Sequence, residues 1–198
     1  MHMNSNKNKG LTLIEILVTV TVFAILVAIA APSLNDFTER NRLSSQTNIL
    51  VAHLNLARSE AVKRNQSIST CISNSAFSAC LSPGATTSQP WENGWIVFVD
   101  MDGDGNYETG DGDSLLQVGE ALGGGSTIRS GQYFSEITYN NDGSVTAPGT
   151  FKVCNQDATL TMARAINIST AGHISMGNDA DDDGIPNDYT NTELTSCT

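Results

Sequence analysis

Glu15 is a carboxylate inside an apolar run that extends from Leu11 to Ala31. Only Thr12, Glu15, Thr19 and Thr21 interrupt the hydrocarbon side chains of that run. A charged group at the centre of a membrane-spanning helix costs roughly 2.5–3.5 kcal/mol on insertion scales, so a partner is expected for it. At about 1.5 Å rise per residue, a helix over 11–31 reaches roughly 30 Å, the thickness of a bilayer core. Residues 1–10 form a polar leader with Lys7 and Lys9, which the positive-inside rule places in the cytoplasm. A secretory signal peptide is the alternative, with Ala28, Ala30 and Ala31 offering a cleavage site. Glu15 and the length of the apolar run argue against it.

A second kind of chemistry resides in two acidic loops. Asp100, Asp102, Asp104 and Asp111 stand at positions 1, 3, 5 and 12 of a segment with Gly105 at position 6, and Asn106 follows that glycine. This is the spacing of an EF-hand-like calcium loop, although a strand-like run precedes it instead of a helix. Asp179, Asp181 and Asp183, followed by Gly184, repeat the pattern and resemble the calcium repeats of extracellular adhesive proteins. Clustered carboxylates repel one another unless a cation or solvent screens them. Calcium is therefore weighed against a solvated acidic turn at both loops, and no cofactor is otherwise required.

Composition narrows the function classes. The net charge is −11, and residues 66–198 carry 17 acidic but only three basic side chains. Such a body repels phosphate backbones and anionic lipid heads, so no nucleic-acid partner is expected. The three histidines, His2, His53 and His173, join no nucleophile or acid–base constellation, and no phosphate-cradling loop is present, so no enzyme activity is expected. All four cysteines follow the apolar run, and an even count in an exported domain suggests two disulfides. Three pairings are possible. The nine-residue separation of Cys71 and Cys80 suits a hairpin-like closure, which leaves Cys154–Cys197 to pin the tail.

The elements that must position these groups follow from periodicity. Leu43, Thr47, Leu50, Leu54, Ala57 and Ala61 recur at helical spacing, while Arg40, Arg42, Arg58 and Lys63 fall largely off that stripe. One long helix over about 12–64 is expected, apolar all round in its first half and amphipathic over 32–65, with Pro32 bending it. From residue 66 the pattern turns to short β-rich runs between turn residues. Strands are expected at 67–72, 95–99, 114–118, 126–129, 136–139, 150–154 and 165–169. The stretch from Leu81 to Pro90 and the tail from Gly177 read as irregular. The expected fold is α+β, a long N-terminal helix packed on an antiparallel β-sheet head over 66–198 or on two small sheets.

Three segments carry a resemblance to a known family. Gly10-Leu11-Thr12-Leu13-Ile14-Glu15 before an apolar run resembles the processing site of type IV prepilins and type II secretion pseudopilins, with Leu11 where the family usually has phenylalanine. Leu54 to Arg64, with Ala57-Arg58-Ser59-Glu60-Ala61 at its centre, and Trp91 to Asp100, with Gly94-Trp95, resemble the GspH/FimT family of minor pilins and pseudopilins. The resemblance implies a type IV pilin-like fold and cleavage after Gly10 by a prepilin peptidase, with methylation of Leu11. It implies an inner-membrane precursor with its head in the periplasm, which then enters a pilus or pseudopilus. It also implies partnership with other major and minor pilins or pseudopilins, with Glu15 neutralising a neighbour's N-terminal amine and Thr12 and Pro32 belonging to the same assembly arm. The two machines share these signatures, so a minor pilin and an H-type pseudopilin are both compatible. A calcium-dependent adhesive or sensing head on a pilin anchor is the reading of a different class.

Overall fold

A computed structural model describes residues 12–81 and 90–197, with the side chains of 30–33 excepted. The leader, Gly10 and Leu11 lie outside the described residues, as does 82–89 within the expected irregular stretch. Helix α1 runs over Leu13–Arg64. Pro32 lies within it and so does not end it. The chain forms two compact units, Met1–Glu39 and Arg40–Thr198.

In the first unit the described large apolar side chains from Leu13 to Ile29 are all exposed, from Leu13 and Phe23 to Leu26 and Ile29. This part of α1 is long and apolar enough to cross a membrane. Exposed hydrocarbon on every face is stable only in lipid or against other apolar helices.

The second unit holds two antiparallel four-stranded sheets. The strands are β1 (Ser67–Ile72), β2 (Trp95–Asp100), β3 (Ser114–Gly119), β4 (Thr127–Arg129), β5 (Glu136–Tyr139), β6 (Gly149–Cys154), β7 (Arg164–Ile168) and β8 (Ile174–Met176). One sheet has the order β3-β2-β1-β5 and the other β4-β6-β7-β8. Seven of these match the expected strands to within a residue or so. Strand β8 is the addition, and it lacks a sequence signal because it spans three residues and buries none of them fully. The fold is the expected α+β arrangement of a long helix on antiparallel sheets.

A single core joins α1 to both sheets. Leu43, Leu50, Leu54, Ala57 and Ala61 are fully buried with Ile68, Ile72, Trp95 and Val97 of the first sheet and Ile128, Phe151, Val153, Ile166 and Ile168 of the second. Strand β2 is buried on both faces. Trp95, Val97 and Val99 join the main core, while Ile96 and Phe98 pack with Cys71 in a separate cluster. The helix ends at Asn65, whose φ of 53° is left-handed, and Gln66 N–H returns to Ala61 O at 3.3 Å. That pairing is the six-to-one bond of a Schellman stop.

The basic residues off the apolar stripe do not simply face solvent. Arg42 donates to Gly124 O at 2.7 Å and Gln46 to Gly123 O at 3.0 Å. Arg58 donates to Gly143 O at 3.2 Å and to Ala171 O at 3.0 Å, tying two turns to the helix. A Cβ on Gly172 would lie 1.9 Å from Gly143 O, and its φ is +72°, so only glycine allows these two turns to meet.

Both tryptophans are fully buried and hydrogen-bonded: Trp91 Nε1 donates to Tyr133 O at 3.0 Å and Trp95 Nε1 to His53 Nδ1 at 3.1 Å. Trp95 also fills the space over Gly119, where a Cβ would sit 2.2 Å from the indole. They act as anchors of the helix–sheet packing. For His53 to accept from Trp95 its Nδ1 must be unprotonated, and burial pushes the imidazole below its ordinary value of 6.5. A base whose folded value is lowered keeps its full contribution above the unfolded value and loses it as pH falls. Tm of the wild-type chain in micelles is therefore expected to fall from pH 7.5 to pH 5 more steeply than that of His53→Gln. That variant retains an acceptor and does not titrate. Equal slopes in a thermal-melt series would remove His53 from the acid response.

Candidate functional site

The first turn of α1 builds the site at Glu15. Thr12 Oγ1 accepts Glu15 N–H at 3.3 Å, and Glu15 Oε2 accepts Thr12 N–H at 3.5 Å. This reciprocal pair is a capping box: Thr12 is the N-cap and Glu15 the third helical residue. The four leading N–H groups of a helix lack internal acceptors and carry partial positive charge. The capping box thus gives the carboxylate a partner within its own helix end. An ionised carboxylate has two oxygens and about four acceptor sites, so a capped Glu15 can still accept from an ammonium group. The sequence singles out both residues, but their reciprocity is visible only in the helix geometry. Pro32, placed with them as an assembly position, lies 17 residues further along α1.

The first acidic loop folds around Asp100 at the end of β2. Its Oδ1 accepts Gly103 N–H at 2.7 Å, and its Oδ2 accepts Gly105 N–H at 3.0 Å and the Ser69 hydroxyl at 2.6 Å. Burial pushes the Asp100 carboxyl up, the hydrogen bonds from Ser69, Gly105 and Gly103 oppose this, and Asp113 adds to the rise. Carboxylate oxygens of Asp100, Asp102 and Asp104 gather within 4.8 Å of one another. The Asn106 side-chain amide donates to Asp104 Oδ2 at 3.0 Å, which draws the Asp104 carboxyl down.

Asp111 is not in that group. It pairs with Glu108, whose carboxyl is raised first by that hydrogen bond and then by the charges of Asp111, Asp104 and Asp102. The loop is closed instead by Asp113, which accepts Met101 N–H at 3.0 Å and Glu108 N–H at 3.0 Å. Asp113 lies beyond a twelve-residue spacing, so that pattern could not find it.

The second loop gathers Asp179, Asp181 and Asp183 within the same 4.8 Å. Asp179 accepts Gly184 N–H at 2.7 Å and Asp183 N–H at 3.2 Å, and Asp183 accepts Ile185 N–H at 2.7 Å. A fourth carboxylate joins from a separate segment. Glu193 pairs in a β-bridge with Asn187, and the charges of Asp181 and Asp183 raise its carboxyl. No sequence spacing marks Glu193. Both loops offer oxygen ligands of the kind a hard cation takes. In both, the loop's own N–H groups already occupy part of that oxygen.

The cysteines are joined as Cys71–Cys80 and Cys154–Cys197, and no free cysteine occurs among the described residues. The first bridge closes the turn after β1. The second ties the tail to β6 across 43 residues with Cα atoms 6.1 Å apart.

A spanning helix with a capped carboxylate at its start, continued by an amphipathic half over two antiparallel sheets, defines a pilin-like subunit. The family described as type II transport protein GspH matches residues 46–172, more than half of the chain, and the prokaryotic N-terminal methylation motif matches residues 5–31. The chain belongs to the GspH family, whose members are structural subunits of pilin type and anchored in the membrane. Two crystal forms of the type IV minor pilin FimU of Pseudomonas aeruginosa strain PAO1 share the fold. One is 22% identical with a TM-score of 0.57, covering 82% of this chain and 99% of that one. The other is 21% identical with a TM-score of 0.54, covering 78% and 99%. No curated protein matches the chain.

Loss of the N-cap hydroxyl in Thr12→Ala is expected to cost about 0.5–2 kcal/mol of helix-end stability. Amide exchange of Leu13 to Leu17 in micelles should accelerate accordingly while exchange in the β-sheets is unchanged. Unaltered exchange at the helix start would show that the box is not formed in solution.

Proposed function

We propose that this chain is a minor type IV pilin, processed after Gly10 and methylated on Leu11, that helps to initiate and build the filament with other pilins. The supporting observation is the likeness of its fold to a minor pilin over 82% of this chain, on a chain that also carries the methylation motif. The precursor waits in the inner membrane with its leader inside and its head in the periplasm. Extraction into a filament exchanges lipid around the apolar half of α1 for the helices of neighbouring subunits. Glu15 then meets the N-terminal amine of a neighbour. Two opposite charges that are each costly in a low dielectric become tolerable together, and the pair sets the register between subunits. An H-type pseudopilin of a type II secretion machine is the alternative, since the matched family bears that description.

A clean deletion, assayed for sheared surface pili and for periplasmic retention of exported proteins in the same cultures, separates the two. Loss of pili with normal export is the expected result. Retained exoproteins with normal pili make the chain the pseudopilin, and no change in either output overturns the assembly role. Complementation with Glu15→Ala is expected to leave processing intact and to fail to restore pili.

The calcium reading of the acidic loops is independent of assembly and rests on carboxylate spacing and convergence. Under it, millimolar calcium raises Tm of the wild-type chain, EDTA reverses the shift, and Asp181→Asn diminishes it. A Tm indifferent to calcium and to EDTA leaves both loops as solvated turns.

A further inference from the structure

We infer that the outer face of the second sheet carries a binding groove for a neutral oligosaccharide, with Tyr189 at its centre. The floor is a polar row running across three strands. Thr150 of β6 pairs in register with Asn167 of β7, and Asn167 with Ser175 of β8. The core-facing positions between them are Phe151, Ile166 and Ile168, so the row lies on the face turned away from the main core. The tail crosses this face as a strap. At one end Leu194 and Cys197 cover Cys154, Ala163 and Ala165 in an apolar cluster. Along its length the strap leaves two open cavities, one of about 190 Å³ beside Leu194 and one of about 360 Å³, and Asp188 and Tyr189 line both.

The groove is held in shape from several directions. The disulfide fixes the strap's end, Tyr189 N–H donates to Thr150 Oγ1 at 2.9 Å, and the Asn167 side-chain amide donates to Asn187 O at 3.0 Å. Thr150 Oγ1 in turn donates to Asn167 Oδ1 at 2.7 Å. Asp188 is fixed in the turn by one oxygen, since its Oδ1 accepts the N–H groups of Thr190 and Thr192 and the Thr190 hydroxyl. A preformed site loses little entropy when a ligand enters.

The lining selects the ligand class. The larger cavity is bounded by Asn167, Ser169, Thr170, Ser175 and Asn191, and the smaller by Gln132, Thr150, Thr195 and Ser196 together with Lys152 and Glu193. Neutral hydroxyls and amides make up most of the polar lining, and Pro148 and Ile168 in the larger cavity and Leu194 in the smaller add apolar surface, the mixed character that a sugar ring presents. Anions are disfavoured by Glu193 and by the 17 acidic side chains against three basic ones over residues 66–198. A wholly apolar ligand would take the polar side chains of this lining out of water without replacing the solvent's hydrogen bonds. A sugar satisfies the lining through its hydroxyls and lays its apolar C–H face on the tyrosine ring, which is 37% exposed. Two cavities that share one aromatic side chain suit a ligand of at least two rings that straddles Tyr189. The assembly chemistry at Glu15 uses none of these residues.

The test is saturation-transfer NMR on the full chain in dodecylphosphocholine micelles, a detergent without a sugar head, using maltotriose, cellotriose and chitotriose as probes. Transfer to at least one of the three is expected. Tyr189→Ser should weaken it about tenfold, equivalent to ~1.4 kcal/mol, while Tyr189→Phe, which keeps the ring, should retain most of it. Ser175→Trp, which fills the larger cavity from an exposed edge strand, should weaken it comparably, with Tm and the Cys154–Cys197 bridge checked in each variant. Absence of transfer from all three sugars overturns the inference. So does equal transfer in wild type, Tyr189→Ser and Ser175→Trp, or equal transfer to citrate, an anionic probe with carbon-bound protons.

Discussion

One stripe of α1 buries itself against two sheets at once, and the rest of the second unit is arranged around that contact. Leu43, Leu50, Leu54, Ala57 and Ala61 are fully excluded from water. Among the described residues neither sheet has another α-helix to cover its inner face, so both depend on the same stripe. Near the helix end the turn at Gly143 packs against Val62 and Arg58, and the turn at Gly172 packs against Gly143. Arginines beside the stripe then donate to loop carbonyls that would otherwise be left unpaired near the core. Arg58, within the segment that resembles the family, thereby ties two turns to the helix by hydrogen bonds.

The same helix serves two solvents. Over Leu13 to Ile29 it exposes hydrocarbon on all sides, and over Leu43 to Ala61 it exposes only its outer face. A segment apolar all round is stable in lipid and equally stable among other such helices, so transfer between them need not pass through water. Glu15 is the group for which that exchange is not neutral. Its capping box with Thr12 gives it a partner within its own helix end. The head contributes rigidity: two disulfides, a strap tied to the sheet, and acidic loops that close on their own backbone N–H groups.

Much of this was legible in the residues. Helical and strand periods differ, and the switch at residue 66 is sharp, so α1 and seven strands emerge from pattern alone. The signals failed where burial did not write a pattern. Strand β8 is short and mostly exposed, and Asp113 and Glu193 reach their loops from outside any fixed spacing. Asp111, which that spacing favours, turns to Glu108 instead.

The sequence by itself determined the apolar span with its single carboxylate, the amphipathic continuation, the acidic β-rich head and the family, because each is a matter of local period, composition or contiguous motif. Only the tertiary structure decided which carboxylates converge, that β2 is buried on both faces, and that Trp95 donates to His53. It also drew the tail across the second sheet, where Tyr189 meets Thr150 and Asn187 meets Asn167. Those features depend on contacts that no local period or contiguous motif marks, as the 42-residue separation of His53 and Trp95 shows, and such contacts arise from the packing of whole elements.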